Sequence, residues 1–258
     1  MNSNSNLADA ISNGDITVAK LVSMNYKYAG VFTKYGIDFC CGGNIALNKI
    51  IEKKSLVSAE VKDSLLSLTE HLETDFTKMS LSILIDYIIH EHHDYLRENI
   101  PVIKAHLEKV ATVHGKNHSF LPKLKDIFDD LSNDLIGHLN KEETILFRVI
   151  KYIESCDRFD EKPRTNGYKS LDHLLGNYIK EHETAGNLLA KIRELTSGYN
   201  PPADACTTFR VCYKELEDFE ANTHKHVHLE NNILFPKASE LELKLGLIND
   251  QKEKERNK

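Results

Sequence analysis

The chain has 258 residues, 41% of them hydrophobic, and a net charge of −6. That is enough apolar material for one large domain, or a medium one with a small companion, and the absence of a basic stripe argues against nucleic acid as a main partner. No apolar run approaches the ~18 residues that span a membrane, the polar start MNSNSNLADA has no signal-peptide core, and five cysteines without a disulfide framework point to a reducing, cytoplasmic compartment.

Residues 1–62 read as a small helical N-terminal domain. A short helix from about Val18 to Tyr28 precedes the segment Lys34 to Gly43, which glycines punctuate as a turn and which carries the adjacent pair Cys40-Cys41. A second short helix follows from about Ile45 to Lys53. Residues 63–80 are a charged linker with partial helical character. Strand signals are weak throughout, so the fold class is all-α.

Residues 81–240 carry four long amphipathic patterns. The first, over 81–113, has the face Ile85, Ile89, His92 or His93, Leu96, Ile100, Ile103, Leu107 and Val110, with Pro101 predicting a kink. A turn from His114 to His118 leads to the second, over 122–154, whose Pro122 suits a first helical turn. Its face runs Leu124, Phe128, Leu131, Leu135, His138, Glu142, Ile145, Val149. A loop with Pro163 and Gly167 precedes the third, over 168–197, with the face Leu171, Leu175, Tyr178, His182, Ala185, Leu189, Ile192. After the break at Ser197 to Pro202, the fourth, over 203–235, shows Phe209, Cys212, Leu216, Phe219, Thr223, His226, Glu230, Ile233, with Pro236 marking an end or a kink. Residues 241–258 form a tail, and its charged end, Gln251 to Lys258, reads as disordered. Four such helices with short loops predict an antiparallel four-helix bundle.

Two pairs, His138/Glu142 and His226/Glu230, stand four residues apart where the apolar series calls for leucines. Both members of each pair point into the core. An unpartnered buried carboxylate costs several kcal/mol or more, and metal ligation is the best explanation for finding two. At matching heights the other helices offer His92 or His93 and His182. Four imidazoles and two carboxylates suit two metal ions with bridging carboxylates, and Fe, Mn or Zn would fit. His106 and His114 lie ~20 and ~30 Å from His93 along the helix, and His173 ~13 Å from His182, too far to take part. Periodicity admits His92 and His93 equally; His90 is off the stripe. Ferritin-like bundles use Glu-x-x-His with more glutamates. The order here is His-x-x-x-Glu and the set is histidine-rich, which favours holding iron or small molecules over heavy oxidative chemistry.

Several motifs are specific: YGIDFCCGG at residues 35–43, HLNKEETILF at 138–147, EHETAGNLL at 181–189, ACTT at 205–208 and HVHLENNILFP at 226–236. Together they resemble the Repair of Iron Centres family, over nearly the whole chain. Arg148 departs from that pattern, standing where the family has a proline. The resemblance implies a hemerythrin-like bundle with an oxo-bridged, non-haem centre of two Fe ions per chain. Carried over residue by residue, its ligands are His93, His138, Glu142, His182, His226 and Glu230; matching His93-Asp94 and Arg97 to Pro101 with the family's first-helix motif is what selects His93. It further implies cytoplasmic repair of iron–sulfur proteins damaged by nitric oxide or oxidants, often by a homodimer. Two alternatives are a reversible oxygen or nitric oxide binder or sensor, and a nitric oxide reductase.

Cys40 and Cys41 are the candidate reactive residues outside the bundle: an exposed thiolate there could take up iron, accept nitric oxide or exchange disulfides, the alternative being a tight structural turn in which one cysteine packs inward. Cys206, at a helix start, is expected to pack, as is Cys212 on the core face, while Cys156 falls in a loop. Tyr178 reads as core filling, and Glu143, Glu181 and Glu183 as solvated surface.

Overall fold

The computed structural model describes residues 3–68, 75–163 and 170–246. Gly167 of the expected loop and the tail end Gln251 to Lys258 lie outside the described residues. The fold is all-α; among the described residues the sole β feature is an isolated antiparallel bridge, Thr17 with Ala46. The chain forms two compact units: Met1–Ser80 with Val227–Lys237, and Leu81–His226 with Ala238–Lys258.

The first unit contains α1 (Ser3–Asn13), α2 (Val18–Met24), α3 (Tyr28–Lys34), α4 (Leu47–Lys53) and α5 (Ser58–Leu66). Ile11, Leu21, Phe32, Phe39, Leu47, Val61 and Leu65 form its core, joined by Val227. Thr17 caps α2, its hydroxyl accepting from the Lys20 N–H. The helix expected over Val18 to Tyr28 stops at Met24, and α3 begins at Tyr28. Asn25 adopts an extended conformation between them and its side-chain oxygen accepts from the Lys27 N–H, a local bond that competes with helix continuation.

The second unit carries most of the antiparallel four-helix bundle; residues 227–237 of its last helix group with the first unit. Its helices are α6 (residues 81–114), α7 (121–159), α8 (Leu171–Leu195) and α9 (207–244). Leu96, Ile103, Leu107, Leu124, Phe128, Leu131, Leu189, Phe209, Leu216 and Phe219 lie in one apolar core. Both oxygens of the Glu154 carboxylate accept backbone N–H groups at the start of α6, from Leu81 and Ser82. Glu242 does the same for the Leu171 N–H that opens α8, alongside the Ser170 cap.

Three of the four helices are interrupted by a π turn: Ile89–His93 in α6, Glu142–Leu146 in α7 and Glu230–Leu234 in α9. A π turn fits one extra residue into the helix and slides the register of everything after it. In α7 this overturns the expected face: Ile145 is 50% exposed, Val149 is half-buried, and Leu146, Phe147 and Ile150 are buried instead. In α6 the buried residue is Ile88 and not Ile89. Helix α7 runs on to Phe159, so Cys156 is a buried helical residue and not a loop residue. Helix α9 continues to Lys244, because Pro236 falls in the first turn after the π segment, where a missing N–H is tolerated. Pro101 is likewise carried on the exposed side of an unbroken segment, Asp94–His114.

Candidate metal centre

At the level of the π turns, six donors converge. His93, Glu142, His226 and Glu230 form one set, and His138, Glu142, His182 and Glu230 a second; within each, one ligand atom per residue lies within 4.8 Å of all the others. All six side chains are buried. The glutamate at each i, i+4 pair comes one turn after its histidine, and each opens a π turn.

Glu142 divides its two oxygens between the halves. Its Oε1 lies 3.1 Å from His138 Nε2 and 3.7 Å from His182 Nε2, while its Oε2 lies 3.5 Å from His93 Nε2 and 3.8 Å from His226 Nε2. The imidazoles pair in the same way: His138 Nε2 is 2.8 Å from His182 Nε2, and His93 Nε2 is 3.1 Å from His226 Nε2.

Hydrogen bonds at Nδ1 set the tautomers of His93 and His138. His93 Nδ1 donates to Glu143 Oε1 at 2.7 Å, and His138 Nδ1 donates to Glu181 Oε2 at 2.7 Å. With the proton held at Nδ1, the neutral ring presents its Nε2 lone pair inward. An inward lone pair in each half, with a second imidazole nitrogen and a carboxylate oxygen alongside, suits a shared cation. A hard-to-intermediate divalent ion such as iron suits imidazole and carboxylate donors, and a carboxylate with one oxygen toward each imidazole pair suits a bridge. The donor set therefore fits a metal centre with two positions.

His92 is also buried, but its Nδ1 lies 3.1 Å from Asn222 Oδ1 and its ring stacks on His226 at 6.0 Å; it belongs to neither donor set. Among the histidines set aside on distance, His106 pairs with Glu215, His114 with Cys206, and His173 is exposed.

Periodicity places Glu143 and Glu181 on the surface, and the structure corrects this: each anchors a donor histidine. The Arg97 guanidinium reaches the same Glu143 oxygen at 2.7 Å, and Lys141 reaches the other oxygen of Glu181. Burial opposes ionisation of both glutamates, yet the hydrogen bonds from His93 and Arg97 and from Lys141 and His138 outweigh it and hold both carboxyls below their ordinary range. The signal available in the sequence is adjacency, Glu142-Glu143 and Glu181-His182. Tyr178 is buried, with its ring edge against His138 at 5.7 Å and its hydroxyl donating to the Lys141 carbonyl; burial, with Glu142 and Glu181 adding, pushes its pKa up to about 12.

In the first unit, the Cys40-Cys41 turn is built on Asp38. Its carboxylate accepts the N–H groups of Cys40, Cys41 and Gly42 at 2.9, 3.0 and 2.8 Å. Gly43 is required, because a Cβ there would lie 2.4 Å from the Phe39 carbonyl oxygen. The two sulfurs are 3.7 Å apart as free thiols. Cys40 is buried, and the Cys41 hydrogen bond, burial and the Asp38 charge push its thiol well up; Cys41 is half-buried. Cys40 is thus the cysteine that packs inward, and Cys41 the more accessible of the two. The side chains of Asn231 and Asn232 donate to the Cys40 carbonyl at 3.4 and 3.0 Å. His228, held at Nδ1 by Asn232 and packed on Phe39, has its pKa pushed down to about 4 by burial.

Fold and donor set together define a cation-binding helical bundle of the hemerythrin kind. Residues 84–238 match the hemerythrin HHE cation-binding domain, and residues 14–69 match ScdA_N, a domain described as of unknown function. The chain is 35% identical over 224 residues to the iron-sulfur cluster repair protein ScdA of Staphylococcus haemolyticus, covering 86% of this chain and 97% of that protein. It is 34% identical over 216 residues to a probable iron-sulfur cluster repair protein of Haemophilus influenzae, and 32% identical over 213 to the iron-sulfur cluster repair protein YtfE of Escherichia coli. These cover 81% and 82% of this chain, and 89% and 91% of the relatives. The chain belongs to the Repair of Iron Centres family. None of the described helices is long and apolar enough to cross a membrane.

Proposed function

We propose that this protein restores iron–sulfur clusters damaged by nitric oxide or oxidants in the cytoplasm, by supplying iron from a centre of two non-haem iron ions. The observation that carries this reading is the division of Glu142, one oxygen toward each imidazole pair. His93, His138, His182 and His226 would bind the metals, and Glu142 and Glu230 would bridge them. Glu143 and Glu181 keep a proton at Nδ1 of His93 and His138, which orients both rings and leaves Nε2 as the donor. Phe147, stacked on His93 at 5.6 Å, excludes water from that side of the ring. Bound iron would supply an exchangeable, redox-active metal that can pass to a cluster or take nitric oxide as a ligand. Four neutral imidazoles against two carboxylates leave the site less anionic than a glutamate-rich one, which weakens its hold on a divalent cation and suits delivery.

The test combines the purified iron-loaded chain with a cluster enzyme inactivated by nitric oxide, under reducing conditions. Activity should return, and the chain should lose iron in step. No recovery with iron still bound overturns donation. Reversible gas binding without iron loss would assign the protein as a carrier or sensor, and nitrous oxide formed over many turnovers with a supplied reductant would make it a nitric oxide reductase.

A further inference from the structure

We infer that the two metal positions are unequal: the one held by His138 and His182 is exchangeable, and the one held by His93 and His226 is retained. This rests on the proposed two-metal reading and adds which ion leaves, and by what route.

A cavity of about 350 Å³ lies between α7 and α8, lined by Asp134, Gly137, His138, Lys141, Glu181 and His182 among others. Both imidazoles of one half line it, and neither imidazole of the other does. The site backs onto this space through small residues. A Cβ built on Gly137 meets nothing within 4 Å. Gly137 is exposed at the rim, so the opening there carries no side chain. Asp134 and Glu181 outnumber Lys141 in the lining, a net negative charge that attracts a departing cation.

The anchoring carboxylates differ in the same sense. Glu143 is 27% exposed, and a single oxygen takes both His93 and the Arg97 guanidinium, which also reaches Asn140. Glu181 is 40% exposed and is held by Lys141, a flexible ammonium that is itself 47% exposed. A planar guanidinium fixes a carboxylate in a way that a single ammonium does not. His138 therefore swings free of its partner more readily than His93. Release is ligand exchange without electron transfer. His138, His182 and the shared carboxylates Glu142 and Glu230 would give up one ion to donors of the acceptor or to water, while His93 and His226, with the same two glutamates, would hold the other.

The experiment uses the full chain loaded anaerobically with ferrous iron and mixed with excess ferrous chelator, with release followed by absorbance and no client enzyme present. Two phases of equal amplitude, differing at least tenfold in rate, are expected. Gly137→Leu, which adds a side chain to the cavity lining, should slow the fast phase severalfold and leave the slow one alone. Glu181→Gln should speed the fast phase, and Glu143→Gln the slow phase. Release of both ions in one phase overturns the inference, as does a Gly137→Leu protein in which neither rate changes, or a Glu181→Gln protein in which both rise equally. If the chain binds no second iron at all, the two-metal reading fails instead, so the two failures are distinguishable.

Discussion

Around Phe128 and Phe219, whose rings meet edge to face at 5.2 Å, the bundle is joined by apolar side chains on regular helix. Fourteen residues on from Phe128, ~21 Å along α7, Glu142 marks a level where the bundle meets through imidazoles and carboxylates. There, three of the four helices carry a π turn. In a regular α-helix neighbouring residues diverge by about 100°, and a register slip shifts which of them face the core. At the π turns the buried stripe widens to take in neighbours: His92 with His93, Leu146 with Phe147, and Ile233 with Leu234 and Phe235 are buried together. The extra residue aims donors inward while an apolar wall closes behind them. Donors and packing thus come from different ends of one helix and should separate experimentally.

The largest effect that would break this contrast is at the bridge. Glu142→Ala removes an oxygen from each imidazole pair, so iron per chain should fall sharply at both positions, as measured by metal analysis of the isolated protein; Glu230→Ala should do the same. If Glu142→Ala kept its full iron, the two halves would not share that carboxylate. At the apolar level, Phe128→Ala should destabilise the bundle by ~3–5 kcal/mol in urea unfolding of the apo protein. The same variant should still take up its full iron. A proportional loss of iron would mean that the two levels are one cooperative site.

A smaller effect sharpens the polar level itself. Glu143→Gln keeps the shape of the side chain that accepts from His93 Nδ1 and removes its charge. Metal affinity should fall by about 10- to 100-fold, the usual consequence of weakening such a partner, with the stoichiometry at saturation unchanged. Competition against a chelator of known affinity measures this, and an unchanged affinity would reduce Glu143 to a surface charge.

The apolar level is the legible one in the sequence. The faces through Leu107, Phe128, Leu189 and Phe219 keep spacings of three and four because nothing interrupts the helix there. The donors are legible too, as His138/Glu142 and His226/Glu230 precede any register slip. The residues just beyond each glutamate are not: periodicity places Ile145 inside, and the π turn breaks that period. The tie between His92 and His93 has the same origin, since both are buried by the turn they end. No local propensity in Glu142–Leu146 announces five residues to the turn; burial of the donors favours it, and that is a tertiary effect. Glu143 and Glu181 escape the sequence reading for a related reason: a residue beside a ligand in sequence lies off the core stripe, and only the neighbouring helix shows that it turns back to hold a ring.

The smallest predicted effect concerns a histidine and a cysteine far from the donors. Cys206, expected to pack, is exposed, with His114 Nε2 3.2 Å from its sulfur. Hydrogen bonds from the Phe209 N–H and from His114 hold its thiol below the ordinary range. Cys212, by contrast, is buried in the core and pushed up to about 12 by burial. Alkylation requires the thiolate, so a lowered pKa moves its onset to lower pH. Cys206 should therefore be modified before Cys156 and Cys212 when the native protein is treated with iodoacetamide and followed by mass spectrometry. His114→Ala should shift that onset for Cys206 toward alkaline pH while iron content stays where it was. Iron loss in this variant would tie the far end of the bundle to the metal level, against the separation of donors from packing on which the comparison rests.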